Sequence, residues 1–248
     1  MLTDYFKELP KKPGLFITAT DTGVGKTLIT GAIARLLRNA GKKVGVLKPV
    51  ASGCRRTREG LVSADAEFLA VCAATEYPLS VITPVCYTTP AAPWVCAESE
   101  GRAVDFEAIA AAYRYLCTTC DVVLVEGIGG AMVPLTETET ILDVAAAMDL
   151  PTVIVARPNL GTINHTLLTL AAVRAAGLPV AGVVINGYNA LTASVAEETA
   201  AEVISRCGQT AILAVVPYDE DSCVEEGRLG DAVLEVMAQC DWNGLSKS

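Results

Sequence analysis

Two lysines, two acids and a threonine sit in this chain where phosphate chemistry needs them. Lys26 and Thr27 follow Gly23, Val24 and Gly25 in the stretch TDTGVGKT at 20–27. Glycines there let backbone N–H groups face an anion without a Cβ in the way. Lys26 reaches β- and γ-phosphates, and Thr27 offers a hard oxygen to Mg²⁺. Magnesium also takes one or two carboxylates. Glu126 ends an apolar run just before Gly127, Ile128 and Gly129, and Asp65 lies in SADAEF. Lys48 follows VGVL and offers a fixed cation for charge that grows during phosphoryl transfer. The loop is not spelled G-x-x-x-x-G-K-[ST]. Thr20 stands at the first glycine position, and Ala19 precedes it.

Each of these residues has a plainer reading. A Gly/Thr turn can join a strand to a helix and bind nothing. Asp65 can be a first-turn helix acid. Lys48 can be a solvated lysine closing a strand. Glu126 has little structural reason to end an apolar strand before Gly-x-Gly-Gly, so it argues most strongly for a site.

The elements around these residues set the context. GLFITA (14–19) reads as a buried strand, and a helical pattern from Thr27 stops at Gly41. Further strands are expected at 43–49, around VCY (85–87), at 121–127, 151–157, 179–187 and 210–217. Helices are expected at 64–74, 105–117, 139–149, 162–177, 192–207 and 228–240, with 75–104 largely irregular. Strands of near-continuous Val, Ile and Leu are covered on both faces. Their alternation with helices means parallel crossovers. The expectation is a single α/β domain of P-loop NTPase type, with a doubly wound, mostly parallel sheet of about seven strands. Residues 1–13 read as an N-terminal extension and 242–248 as a C-terminal tail. Ligands of such sheets bind at the carboxyl ends of the strands, and the chemically informative residues fall there.

Composition narrows the function classes. The net charge is −9, and CRRTRE at 54–59 is a short basic exception. Nucleic-acid binding needs a concentrated basic surface, which this chain lacks. No apolar run is long enough for a membrane span. The nine cysteines are dispersed, and Cys117 and Cys120 form an isolated C-x-x-C. They read as structural thiols of a cytoplasmic protein.

The motifs TDTGVGKT (20–27), KPVASG (48–53), SADA (63–66), VEGIGG (125–130), LGTINHTLLT (160–169), AGVVING (181–187) and VPYDED (216–221) run in order along the chain. Together they resemble the dethiobiotin synthetase family. The resemblance implies an ATP- and Mg²⁺-dependent cyclo-ligase acting on 7,8-diaminononanoate and CO₂ (or bicarbonate), through a carbamate and a carbamic-phosphoric anhydride. It implies Lys48, Lys26 and Thr22 as catalytic residues. Thr27, Asp65 and Glu126 would hold the metal. Thr22, Ser52, Leu160, Gly161, Thr162 and Asn164 would contact substrate, the last four from the second subunit of a homodimer. The nucleotide would lie along Gly23 to Leu28 and Gly127 to Gly129, with Asn186, Gly187, Pro217, Tyr218, Asp219 and Glu225 toward the base. His165, the only histidine, falls beside the tail-binding segment and reads as a packing or interface residue.

The chain departs from the family pattern at Ala19, usually glycine, and at Gly23, often acidic. Two rival enzymes share the broad fold. A MinD/ParA-like regulatory ATPase carries a lysine early in its loop, where this chain has Asp21. A cobyrinate-type amidating enzyme needs an additional glutaminase domain, for which this chain is too short. A non-catalytic nucleotide-binding module would have no reason to keep Glu126, Asp65 and Lys48 together.

Overall fold

The structure is a computed structural model that describes residues 2–58 and 60–247. Along the chain run α1 (Leu2–Tyr5), β1 (Gly14–Ala19), α2 (Lys26–Asn39), β2 (Val44–Leu47), β3 (Val50–Ala51), β4 (Arg55–Thr57) and β5 (Gly60–Val62). There follow α3 (Ala64–Ala73), α4 (Leu79–Ile82), β6 (Val85–Cys86), α5 (Pro93–Glu100), α6 (Phe106–Thr119) and β7 (Val122–Glu126). The rest is α7 (Ile141–Met148), β8 (Thr152–Ala156), α8 (Thr162–Ala175), β9 (Val180–Tyr188), α9 (Val195–Gly208), β10 (Ile212–Pro217), α10 (Asp231–Met237) and α11 (Trp242–Leu245).

The main sheet has the order β10-β9-β8-β1-β7-β2, and every pairing in it is parallel. Side chains alternate along each strand, so each strand feeds two cores. Leu15, Ile17, Val122 and Leu124 face a layer that includes Ile29, Ile33, Phe68 and Met237. Phe16, Val123 and Val125 face the opposite layer, with Ile109, Leu116, Ile141 and Leu170. Both faces are covered, as the unbroken apolar runs require.

The sheet has six strands where the sequence suggests about seven. Val85–Cys86 pairs instead with Val50–Ala51 in a separate parallel ladder. Pro49 ends β2 and turns the chain off the sheet edge, and β6 follows the chain that has turned away. The irregular stretch 75–104 thus backs the Lys48–Gly53 segment. The Lys48 N–H donates to the Ile82 carbonyl (2.6 Å), and Gly53 N–H to the Thr89 carbonyl (3.2 Å). The short helices α1, α4, α5 and α11 and the antiparallel β4–β5 pair have no counterpart in the sequence reading. The segment expected as a tail carries the buried Trp242, whose Nε1 donates to the Met237 carbonyl (2.7 Å).

Candidate active site

The phosphate loop joins β1 to α2 at the carboxyl edge of the sheet. Gly25, the α2 N-cap residue, has φ of 94° and no side-chain cap. The first N–H groups of α2 are therefore free of a side-chain acceptor, and the helix dipole favours an anion there. A Cβ on Gly25 would meet the Asn186 side-chain amide, which would have to move to make room. Asn186 Nδ2 donates to the Val24 carbonyl (3.0 Å). Asn186 thereby holds the loop from β9.

Behind the loop sits a buried charge cluster. Glu126 ends β7 with no exposed surface. Its Oε1 accepts from Thr27 Oγ1 (2.7 Å) and from Lys48 Nζ (2.7 Å). Lys48 Nζ also lies 2.6 Å from Asp65 Oδ2. Asp65 is carried by the first turn of α3. That helix packs closely on α2, since a Cβ on Gly31 would come within 2.3 Å of Phe68 Cε1.

Electrostatics follow from this packing. Burial pulls the Lys26 pKa down to about 8, against the opposing pull of Glu126. Burial also works against the charge on Lys48, but Glu126 and Asp65 outweigh it and hold its pKa above the ordinary lysine value. Burial likewise works against the Asp65 carboxylate, and Lys48 wins, keeping it below the usual range. The site therefore holds Lys48 as a cation.

The remaining oxygen, Glu126 Oε2, is buried without a hydrogen-bond partner among the described residues. A lone buried carboxylate oxygen is costly unless a donor or cation meets it. Thr27 and Asp65 add hard oxygens to the same cleft, a donor set suited to Mg²⁺. No group of three or more His, Cys, Asp or Glu side chains converges among the described residues. The metal reading therefore depends on the Thr27 hydroxyl. Cys117 and Cys120 are buried, and they belong to no such group.

The cleft has a volume of about 370 Å³. Its walls bring together Thr22, Gly23, Gly25, Lys26, Thr27 and Leu28 with Lys48, Ser52, Asp65, Glu126, Ile128, Gly129 and Glu225. Val224 also lines it, a residue the sequence gave no reason to choose. Several expected site residues lie outside that lining. A Cβ on Gly127 would press against Phe16 (3.3 Å) and Ile141 (3.4 Å). Gly187 has φ of 86° near the end of β9. Pro217 ends β10, and the Tyr218 N–H donates to the Tyr188 carbonyl (2.9 Å). Asp219 accepts from the Asp221 N–H (3.1 Å) and from Ser222 Oγ (2.8 Å), so its carboxylate organises its own loop.

Leu160, Gly161 and Asn164 are exposed at the start of α8, and Leu160 retains 87% of its surface. Thr162 is buried there, with an unpartnered Oγ1 among the described residues. His165 is exposed on the same helix. A second residue missed in the sequence is Arg157, one position beyond β8. Its Nη2 donates to the Thr22 carbonyl (2.9 Å) and to Asp21 Oδ2 (3.3 Å).

Comparisons with known proteins agree with this geometry. A family model described as "AAA domain" matches residues 13–225. The ATP-dependent dethiobiotin synthetase BioD of Thermodesulfovibrio yellowstonii is 39% identical, over 90% of this chain and 95% of the relative. That of Anaeromyxobacter dehalogenans is 40% identical, over 89% and 96%. Among solved structures, apo McdA from Cyanthece superposes with a TM-score of 0.59 at 16% identity, covering 96% of this chain and all of the other (100%). A ParA family ATPase from Chlorobium tepidum gives 0.56 at 14%, covering 94% and 99%. These distant likenesses speak to the P-loop NTPase-like fold alone. The curated sequence relatives, spanning nearly the whole chain, speak to more: the chain belongs to the family of ATP-dependent dethiobiotin synthetases.

Proposed function

We propose that the chain converts a 7,8-diaminononanoate, CO₂ and ATP into dethiobiotin, ADP and phosphate, in the cytoplasm. One amine takes up CO₂ and loses a proton to give a carbamate. A carbamate oxygen attacks the γ-phosphorus, the bond to ADP breaks, and a carbamic-phosphoric anhydride forms. The second amine then attacks the carbamoyl carbon. A C–N bond closes the cyclic urea and phosphate leaves.

Both reactants of the phosphoryl step are anions, so the protein's task is to bring them together and to offset their charge. Lys26 holds the phosphates from the start of α2. Lys48, fixed between Asp65 and Glu126, presents a permanent cation at the cleft where charge builds on the transferred group. Thr27, Asp65 and Glu126 would hold Mg²⁺, which supplies neutralisation of the phosphate oxygens when bound. Thr22 and Ser52, which both line the cleft, would orient the carbamate and the diamine. Asn186, Gly187, Pro217, Tyr218, Asp219 and Glu225 would frame the base.

The substrate's carboxylate tail suits the start of α8. Gly161 there is left-handed (φ 97°) and provides no side-chain cap. Leu160 stands out from the surface at the same point, as it would if a second subunit brought this segment to its partner's cleft. A homodimer is therefore part of the reading.

The observation that carries this proposal is the buried Lys48 locked between two acids beside a phosphate loop. A regulatory ATPase of this fold has no use for that arrangement, and its loop lysine is replaced here by Asp21, bonded to Arg157. The test is product analysis with ATP, Mg²⁺, bicarbonate and the diamine. ADP should accumulate only when all are present, with dethiobiotin in step. ATP turnover indifferent to the diamine would sink the ligase reading and favour a regulatory ATPase.

A further inference from the structure

Thr22 is tied at both ends of its backbone. Its N–H donates to Asp21 Oδ1 (2.7 Å) and its carbonyl accepts from Arg157 Nη2 (2.9 Å). The same guanidinium nitrogen reaches Asp21 Oδ2 at 3.3 Å. Asp21, Thr22 and Arg157 thus form one closed loop of contacts around a single residue of the cleft wall. On the cleft side, a Cβ built on Gly129 would stand only 3.2 Å from Thr22 Oγ1. The Thr22 hydroxyl therefore lies near Gly129, while its backbone is fixed from behind.

This arrangement contributes little as an ion pair. The Arg157 and Asp21 side chains are 39% and 60% exposed, and exposed pairs are worth little to stability. Its value is orientation. Fixing the two peptide groups of Thr22 sets where its Cβ stands, and so the side from which its hydroxyl is presented to the cleft. Arg157 also has a second connection. It leads from β8 through Pro158 and Asn159 into Leu160 and Gly161, where α8 begins. One side chain therefore joins the phosphate loop to the segment that opens α8.

We infer that Arg157 is a positioning residue. It sets Thr22 for the carbamate and the reacting amine, and leaves the phosphate-binding half of the loop, Gly25 to Thr27, to be held by Asn186 and Glu126. The inference rests on the ligase reading above. Lysine reproduces it only in part, because its ammonium rides on a flexible stem and is less pre-organised than the guanidinium whose Nη2 meets both oxygens.

The test compares Arg157→Ala, Arg157→Lys and Asp21→Asn with the wild type, using steady-state kinetics and amide hydrogen exchange of the ligand-free protein. For Arg157→Ala, kcat/KM for the diamine should fall by about 10- to 100-fold, the range a small misplacement produces. The KM for ATP should stay within about twofold, since this variant leaves Lys26 and Thr27 in place. Arg157→Lys and Asp21→Asn should fall between Arg157→Ala and the wild type. Exchange at the Thr22 amide should quicken by about fivefold or more in Arg157→Ala, with helix α2 unchanged. Equal losses toward ATP and diamine, or unaltered diamine kinetics, would overturn the inference. So would unaltered exchange at Thr22. A wild-type protein inert toward the diamine would instead defeat the ligase reading, and the exchange measurement would still decide whether Arg157 fixes Thr22.

Discussion

Lys48 Nζ and Glu126 Oε1 are 2.7 Å apart, with the lysine side chain 6% exposed and the glutamate wholly enclosed. Nothing in this pair resembles a surface salt bridge. Two charges taken out of water this completely need each other, and removing one leaves the other uncompensated. The Lys48→Ala variant should accordingly show two separable effects. Stability should fall by about 3 kcal/mol or more, measured by urea unfolding, because Glu126 keeps only the Thr27 hydroxyl. Turnover should fall by about 10²- to 10³-fold, the scale for losing one electrostatic stabiliser of a transition state. Nucleotide affinity by calorimetry should change by less than about fivefold, since Lys26 and the α2 amides remain. Loss of ATP binding would instead make Lys48 a nucleotide ligand.

The path to that pair was partly legible in the sequence. The strand end at Ala19 could be read from its apolar run, and the strands expected at 43–49 and 121–127 run slightly past the observed ends at Leu47 and Glu126. The loop could be read from its glycines, lysine and threonine. What could not be read was the environment of Lys48. A lysine after a strand looks solvated; its Nζ is enclosed by Asp65 and Glu126, which only the fold brings to it, and its N–H is held by Ile82 of α4, in a Pro-rich stretch without helical or strand period. The same holds for Arg157, whose role exists only because β8 lies beside β1. Ala19, by contrast, becomes intelligible in the structure. It is fully buried in the layer with Leu15, Ile17 and Ile29. Its backbone has no positive φ, so a glycine there is not required and the methyl group packs into the core.

The stretch that backs Lys48 has its own acid-sensitive clasp. Glu100 Oε1 accepts from the Thr89 N–H (2.8 Å) and from Thr88 Oγ1 (2.9 Å). The Thr89 carbonyl in turn accepts from the Gly53 N–H, one residue beyond Ser52. These bonds, the Thr89 N–H foremost, hold the Glu100 pKa below its ordinary value of 4.5. A carboxyl depressed in the folded state stabilises the fold above its unfolded pKa, and that contribution is lost as pH falls through the folded value. Glu100→Gln should therefore melt below the wild type at pH 7. The gap should close as pH drops under about 4.5. A gap that is independent of pH would show that Glu100 acts by shape alone. Thermal scans from pH 3 to pH 7 decide between the two.

Gly23 and Gly25 make a contrast within one loop that separates backbone strain from steric fit. Both have positive φ, 70° and 94°. Around Gly23 a Cβ would meet nothing within 4 Å, whereas on Gly25 it would strike Asn186 Nδ2 at 2.0 Å. Gly23→Ala should thus carry only the conformational cost of a left-handed alanine, about 1–2 kcal/mol, and should keep ATP affinity within about tenfold. Gly25→Ala must in addition push Asn186 off the Val24 carbonyl or move the loop from the first turn of α2. Its ATP affinity should fall by at least about 100-fold, since the amides that face the phosphates shift with the loop. The double variant Gly25→Ala, Asn186→Ala removes the obstruction but keeps the strained φ. It should recover part of the lost melting temperature relative to Gly25→Ala alone. No recovery would mean that the left-handed backbone, rather than Asn186, fixes glycine at this position.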